Sequence, residues 1–260
     1  MLLINNLMII NERFNNKIAI VTGGADGIGK GVACRLGKEG AKVALFDINK
    51  NLLQKTIEEF TELGIAAKGY TVDVSCETQV SDAISEVEKE YTKIDILVNA
   101  AGIVGLTNTK ITDFPTADFD KIYEINLRGT FLITKFVLQV MKKTGYGRLL
   151  LIASIAGKEG NPGMIGYSAT KAGVIGLVKG VAKEFADTNI TVNGLAPAVI
   201  KTTMNENTSK EQLAYMTAKI PMQRLGTVDE VAAMSCYIVS DENSFSTGFI
   251  YDISGGRATY

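Results

Sequence analysis

Short apolar runs alternate with longer amphipathic stretches along the chain, and this alternation predicts an α/β fold, a parallel sheet covered by helices on both faces. Residues 18–22 form an apolar run that ends in glycines, and residues 27–38 after it carry a helical pattern. Further strands are predicted at 43–46, 67–72, 94–98, 148–153, 190–195 and 249–253. Helices are predicted at 52–63, 78–91, 164–186 and 228–239, with a long helical region ending near Lys143. The 94–98 run is continuous enough to be a central strand. Residues 102–115 are predicted as a loop, and the polar stretch 202–219 as a mobile substrate loop. No linker, repeat or low-complexity tract divides the series, so residues 14–260 read as one domain behind an arm at 1–13.

That arm is apolar but short, and Asn5 and Asn6 interrupt it. It lacks the basic segment and cleavage site of a signal peptide, and no run reaches membrane-spanning length. It reads as a disordered or packed arm, or as the product of a start codon placed ahead of a true start at Met8.

Composition then narrows the chemistry. The 27 basic and 28 acidic residues leave a formal charge of -1, and the Lys and Arg residues form no run, which argues against nucleic acid or anionic membranes as partners. Cys34, Cys76 and Cys236 form no CxxC pair and suggest neither a disulfide framework nor a zinc ribbon; a cytoplasmic setting fits them. The chain has no histidine, which removes Ser-His-Asp catalysis, HExxH sites and His-liganded zinc, and no metal is expected. A proton in an enzymatic reaction must come from Tyr, Lys, a carboxylate or water.

Two constellations supply candidate chemistry. The first strand runs into Thr22-Gly23-Gly24-Ala25-Asp26-Gly27-Ile28-Gly29 and then a helix. A tight turn at a helix N-terminus brings backbone N–H groups and the helix dipole to bear on a pyrophosphate. Asp47 closes the second strand, near the offset at which an acid meets adenosine ribose hydroxyls. Asp47 and Asp26 both oppose a 2′-phosphate, so the expected cofactor is NAD rather than NADP. In the second constellation, Tyr167 and Lys171 stand at i and i+4 on one helix face. A neighbouring ammonium favours phenolate and is expected to lower the tyrosine pKa from its usual ~10. Ser154 follows the fifth strand at the carboxyl end of the sheet, where its hydroxyl can hold the substrate oxygen that Tyr167 protonates or deprotonates.

These residues resemble the short-chain dehydrogenase/reductase family over residues 14 to 256. The matching stations are Thr22-Gly23 with Gly27-Ile28-Gly29, Asp73-Val74, Asn99-Ala100-Ala101-Gly102, Asn126, Ser154, Tyr167 through Lys171, Pro197 and Thr202. The resemblance implies a Rossmann-like doubly wound sheet and an NAD-dependent oxidoreductase acting on a secondary alcohol or ketone. It implies that Ser154 orients the substrate oxygen, Tyr167 is the acid/base, Lys171 binds the nicotinamide ribose and Asn126 supports a proton path. Asp73 and Val74 would border the adenine, Asn99 would hold the fourth strand, and Ile200 and Thr202 would meet the carboxamide. Ala100 and Ala198 depart from the usual family wording; Ala198 questions how closely the backbone approaches the nicotinamide, since alanine is less free at positive φ.

The substrate is expected between residues 102–115, 156–164 and 203–219. Lys158, Asn161 and Arg257 are candidates for recognising an anionic group. Gly160 through Met164 and the ending Gly255 through Tyr260 look similar to relatives that oxidise sugar acids, including 2-keto-3-deoxy sugar acids; a polyol dehydrogenase would look much the same. Carrier-protein-linked 3-oxoacyl reductases that use NADPH, and dinucleotide sensors without catalysis, are the alternatives. Gly173, Gly176 and Gly180 open one side of the Tyr167 helix, and a homotetramer is what the resemblance implies.

Overall fold

The computed structural model describes residues 12–202, 210–258 and 260. The expected arm at 1–13 lies outside them up to residue 11, as does the 203–209 part of the substrate loop. Seven parallel strands form one sheet in the order β3-β2-β1-β4-β5-β6-β7. They are β1 (Ile18–Thr22), β2 (Lys42–Asp47), β3 (Ala67–Thr71), β4 (Ile96–Asn99), β5 (Gly147–Ile152), β6 (Ile190–Pro197) and β7 (Ile250–Ile253). The helices between them are α1 (Gly27–Lys38), α2 (Lys50–Glu62), α3 (Glu77–Tyr91), α4 (Thr116–Tyr123), α5 (Gly129–Thr144), α6 (Ile155–Glu159), α7 (Ile165–Glu184), α8 (Lys210–Ala218) and α9 (Val228–Ile238).

Side chains alternate across each strand and feed two separate cores. On one face Ala19, Val21, Leu45, Val98 and Leu150 pack under Val32 and Leu36 of α1, Phe60 of α2 and Val231 of α9. On the other face Ile20, Phe46, Leu97, Leu149 and Val192 pack under Val80 of α3, Ile133 of α5 and Val178 of α7. A sheet covered this way has no polar face, which is why its strands read as apolar runs without alternation.

The chain winds from β1 outward to β3, returns to β4 and winds the other way. The reversal between β1 and β4 opens a crevice at the carboxyl ends of the strands, the general ligand position of such sheets.

The structure departs from the predicted elements in four places. The long helical region is broken: α4 ends at Tyr123, a π-turn spans Glu124–Arg128, and α5 begins at Gly129. A short helix, α6, follows Ser154, whose hydroxyl caps it by accepting the Ala156 N–H at 3.1 Å. Part of the predicted mobile loop is helix α8, whose Leu213, Ala214, Met216 and Ala218 are good helix formers. The fourth strand begins at Ile96, two residues later than predicted, because the Asp95 carboxylate accepts the Ile18 N–H at 2.8 Å. Among the described residues no helix is long and apolar enough to cross a membrane.

Helix α9 packs mainly against α1 on one face of the sheet, and Thr227 with Glu230 forms a reciprocal capping box at its start. Thr227→Ala is expected to lower stability by about 1 kcal/mol, measured as a shift in the urea midpoint with an unchanged slope.

Candidate active site

Every strand from β1 to β6 delivers a predicted site residue to the same edge of the sheet. At the end of β1 the turn folds back tightly. A Cβ added to Gly29 would lie 2.1 Å from the Gly23 carbonyl oxygen, and one on Gly23 would lie 3.1 Å from the Ala101 backbone. Gly23 and Gly27 have φ of 62° and 54°, a region that favours glycine. The α1 N-terminus therefore stands over the β1/β4 crevice, a geometry suited to an anion such as pyrophosphate.

Asp26 is the N-cap of α1 and accepts the Gly27 N–H at 2.7 Å. Asp47, at the end of β2, accepts the Ala25 N–H at 3.1 Å and the Asn49 N–H at 2.9 Å. One carboxylate thus ties the second strand to the Gly-rich turn. Asp73 lies just past β3, where its carboxylate takes the Ser75 N–H and hydroxyl at 2.9 and 2.6 Å. Val74 is buried against α5, where a Cβ on Gly129 would lie 3.0 Å from it.

Asn99, Ala100 and Gly102 follow β4. The Ala100 and Ala101 N–H groups both donate to the Thr22 hydroxyl at 3.1 Å. Gly102 lies beside Asn126 and Lys171, since a Cβ there would come within 3.1 Å of Asn126 Oδ1 and 3.5 Å of Lys171 Nζ. Pro197 ends β6, and the backbone continues to Ile200, which bridges to Gly226. Thr202 reaches the Gly-rich turn, 3.7 Å from the position of a Cβ on Gly27. Ala198 is not among the residues with positive φ; its N–H donates to Ile253, so alanine fits without strain.

The proton-transfer group comes from α7 and the end of β5. Tyr167 and Lys171 lie on one face of α7, with Lys171 Nζ 5.8 Å from the tyrosine ring centroid. That ammonium donates to the Ile152 carbonyl at 2.7 Å. Burial pushes the Tyr167 phenol up, and the Ser154 hydroxyl beside it offsets part of that rise. Burial also brings the Lys171 amine down, to about 8. The expectation that the lysine lowers the tyrosine is therefore corrected. Both groups are buried at the edge of the sheet, where desolvation disfavours the charged form of each.

Asn126 lies in the π-turn and is fully buried. Its side chain accepts the Ile103 N–H and donates to the Ile103 carbonyl, both at 2.8 Å. Thr130, which sequence reasoning missed, donates to the Asn126 carbonyl at 2.6 Å. Its signal was a threonine four residues after Asn126, the spacing of helical back-bonding.

The three residues expected to meet an anion cluster around the C-terminal segment. Arg257 donates to Glu159 at 2.8 and 3.0 Å and to Asn161 at 3.2 Å. With Lys219 these residues line a cavity of about 330 Å³. Lys158 turns elsewhere: it donates to the Tyr260 backbone oxygen and stands 3.9 Å from Asp252. Each cation already has a carboxylate or backbone partner from its own chain, a pairing between distant segments that sequence spacing does not disclose.

A switch-point crevice floored by a glycine turn, with a Ser/Tyr/Lys group at its mouth, defines the short-chain dehydrogenase/reductase class, and the chain belongs to this family of oxidoreductases acting on CH–OH groups. A family profile described as enoyl-(acyl carrier protein) reductase matches residues 23–258. The chain is 43% identical over 254 residues to a 2-dehydro-3-deoxy-L-rhamnonate dehydrogenase (NAD(+)) from Sphingomonas sp. (strain SKA58), covering 98% of this chain and 100% of that one. It is 36% identical over 244 residues to the 3-oxoacyl-(acyl-carrier-protein) reductase of Thermotoga maritima, covering 94% and 98%. The structure of an NAD+-bound xylitol dehydrogenase superposes with a TM-score of 0.88 at 32% identity, covering 94% and 99%.

The Lys171 amine loses its proton near 8 in the folded protein, against an ordinary 10.5. Between these values the unfolded chain binds more protons, so the lysine makes the fold more stable as pH rises through that window. Lys171→Met removes the titrating group. Denaturant melts at stepped pH are expected to show the wild type gaining on the variant between pH 8 and 10.5.

Proposed function

We propose that this protein is an NAD-dependent dehydrogenase that moves a hydride between nicotinamide and the secondary alcohol carbon of a sugar acid, with the 2-dehydro-3-deoxy class as first choice. The observation that carries this reading is the meeting of Ser154, Tyr167 and Lys171 beside the Gly-rich turn. The Sphingomonas relative supports the substrate class and the cofactor.

The residues fit a dinucleotide. The glycines at 23, 27 and 29 leave a cradle that side chains would fill, and α1 points its N-terminus at it. Asp47 stands where ribose hydroxyls can donate to it and a 2′-phosphate would be repelled. Asp73, Val74, Asn99, Ala100, Gly102, Pro197, Ile200 and Thr202 complete the lining we assign to the cofactor. When bound, the oxidised nicotinamide supplies a hydride acceptor.

In oxidation Ser154 holds the substrate hydroxyl and Tyr167, as phenolate, removes its proton. Lys171 supplies positive charge next to the phenolate and hands the proton on toward solvent past Asn126. In reduction the same groups run in reverse, and Tyr167 donates. Arg257 with Asn161, at the wall of the 330 Å³ cavity, is the pair we assign to the substrate's carboxylate. Lys158 serves instead to hold Tyr260 to the same loop. A cytoplasmic setting suits the three cysteines, none of which is disulfide-bonded.

A second reading, NADPH-dependent reduction of 3-oxoacyl carriers, draws on the Thermotoga relative; Asp47 opposes it. Turnover of a panel of sugar acids, polyols and 3-oxoacyl thioesters with NAD and NADP separates the two. Sugar acids with NAD are expected to be the best pair, and oxidation is expected to speed up as pH rises, since burial raises the Tyr167 phenol. Tyr167→Phe should lower the rate by about 10²–10⁴-fold, and Arg257→Ala should erase the preference for acids over neutral polyols. Activity confined to NADPH and thioesters would transfer the assignment to the second reading.

The assembly we propose is a homotetramer. Leu127, Phe131, Gly176, Leu177, Gly180 and Val181 line an apolar groove of about 430 Å³ on α5 and α7. Side chains at Gly176 and Gly180 would meet nothing within 4 Å, whereas Gly173 is already filled by Leu127. Phe245 and Phe249 stand exposed beside the edge strand β7. Gly176→Glu with Gly180→Glu is expected to reduce the sedimenting mass to a dimer or monomer; an unchanged mass would move the interface elsewhere.

A further inference from the structure

The Gly-rich turn and the proton-transfer residues are joined by one continuous line of buried side chains. Thr22 donates its hydroxyl proton to Asn99 Oδ1 at 2.7 Å. The Asn99 amide donates to the Thr130 hydroxyl at 2.8 Å, and that hydroxyl donates to the Asn126 carbonyl at 2.6 Å. The Asn126 amide in turn clasps Ile103 at 2.8 Å and reaches the Thr170 hydroxyl at 3.4 Å. Thr170 shares its one proton between the carbonyls of Gly166 and Tyr167, at 2.9 and 3.0 Å.

Each hydroxyl has a single proton, so the direction of this line is fixed. Thr22 accepts from the Ala100 and Ala101 N–H groups, which leaves its proton for Asn99. Asn99 Oδ1 is then an acceptor and its amide must donate to Thr130. Thr130 spends its proton on Asn126. All of these side chains are buried, so water does not replace a lost partner.

Thr130 is the side-chain link between the two halves; the other is the backbone of residues 100–103, held by Thr22 at Ala100 and Ala101 and by the Asn126 side chain at Ile103. Helical bonding is displaced by a residue here, with the Gly129 N–H going to Glu124 in the π-turn. Just beyond it the Thr130 hydroxyl back-bonds to the main-chain carbonyl of Asn126, four residues earlier. Removing that hydroxyl strips a partner from Asn99 and from Asn126 at once.

We propose that Thr130 is a positioning residue that sets Asn126 in register with the Gly-rich turn, so that its hydroxyl couples dinucleotide seating to Tyr167 ionisation. This rests on the reading that the turn holds a dinucleotide and that Tyr167 carries the proton. Thr130→Val keeps the shape and removes the hydroxyl, and Thr130→Ser keeps the hydroxyl. Thr134→Val is the control, because Thr134 is equally buried and donates to the Thr130 carbonyl at 2.7 Å, outside the line.

The readouts are NAD affinity by titration calorimetry and Tyr167 ionisation by ultraviolet difference titration against matched Tyr167→Phe backgrounds. Thr130→Val is expected to weaken NAD binding about tenfold and to move the Tyr167 titration by about one pH unit. Thr130→Ser should restore both, and Thr134→Val should lower Tm while leaving both in place. Equal losses of Tm in the two valine variants, with affinity and ionisation unchanged, would overturn the proposal. A wild-type protein that binds no dinucleotide would overturn the underlying reading and this proposal with it.

Discussion

Helix α1 meets the sheet where Gly29 faces the Gly23 carbonyl, and a Cβ at that point would come within 2.1 Å of the oxygen. The contact fixes how far the helix N-terminus leans over the crevice between β1 and β4. The same turn passes so close to Ala101 that a Cβ on Gly23 would lie 3.1 Å from its backbone, a tight contact at a φ that favours glycine. Around that approach the other strands bring their ends: Asp47 binds the turn directly, and Thr202 lies against Gly27. A larger residue at position 29 would separate the cofactor cradle from the strand that carries it, and nothing downstream could compensate.

Burial decides the electrostatics of the site. Tyr167 and Lys171 carry the groups needed to move a proton, yet each is held away from its charged form by desolvation. Burial thus raises the phenol and lowers the amine, the direction desolvation imposes on each. The lysine spends its donor on the Ile152 carbonyl. The hydroxyl of Ser154 is divided between the α6 cap and the phenol beside it. The mouth of the site is held together by long-range pairs from the C-terminal segment, in which Arg257 grips the α6–α7 loop through Glu159 and Asn161.

What could be read from the chain alone was local. The glycine spacing after β1, the acid closing β2, and Tyr167 four residues ahead of Lys171 all lie within single turns or strand ends, where covalent geometry dictates the outcome. The apolar runs likewise disclosed the strands, because a sheet covered on both faces leaves no polar position to confuse the pattern. The break in the helix at Glu124–Arg128 left no such mark, since it depends on tertiary partners that override local pattern.

By itself, then, the sequence determined the element order and the family, because these follow from the spacing of neighbours. Tertiary structure alone decided that Tyr167 rises and Lys171 falls, that Arg257 meets Glu159 and Asn161 while Lys158 meets Tyr260, and that Thr130 stands between the turn and Asn126. Desolvation sums over atoms from many distant segments, and hydrogen-bond partners separated by tens of residues meet only when the sheet has closed.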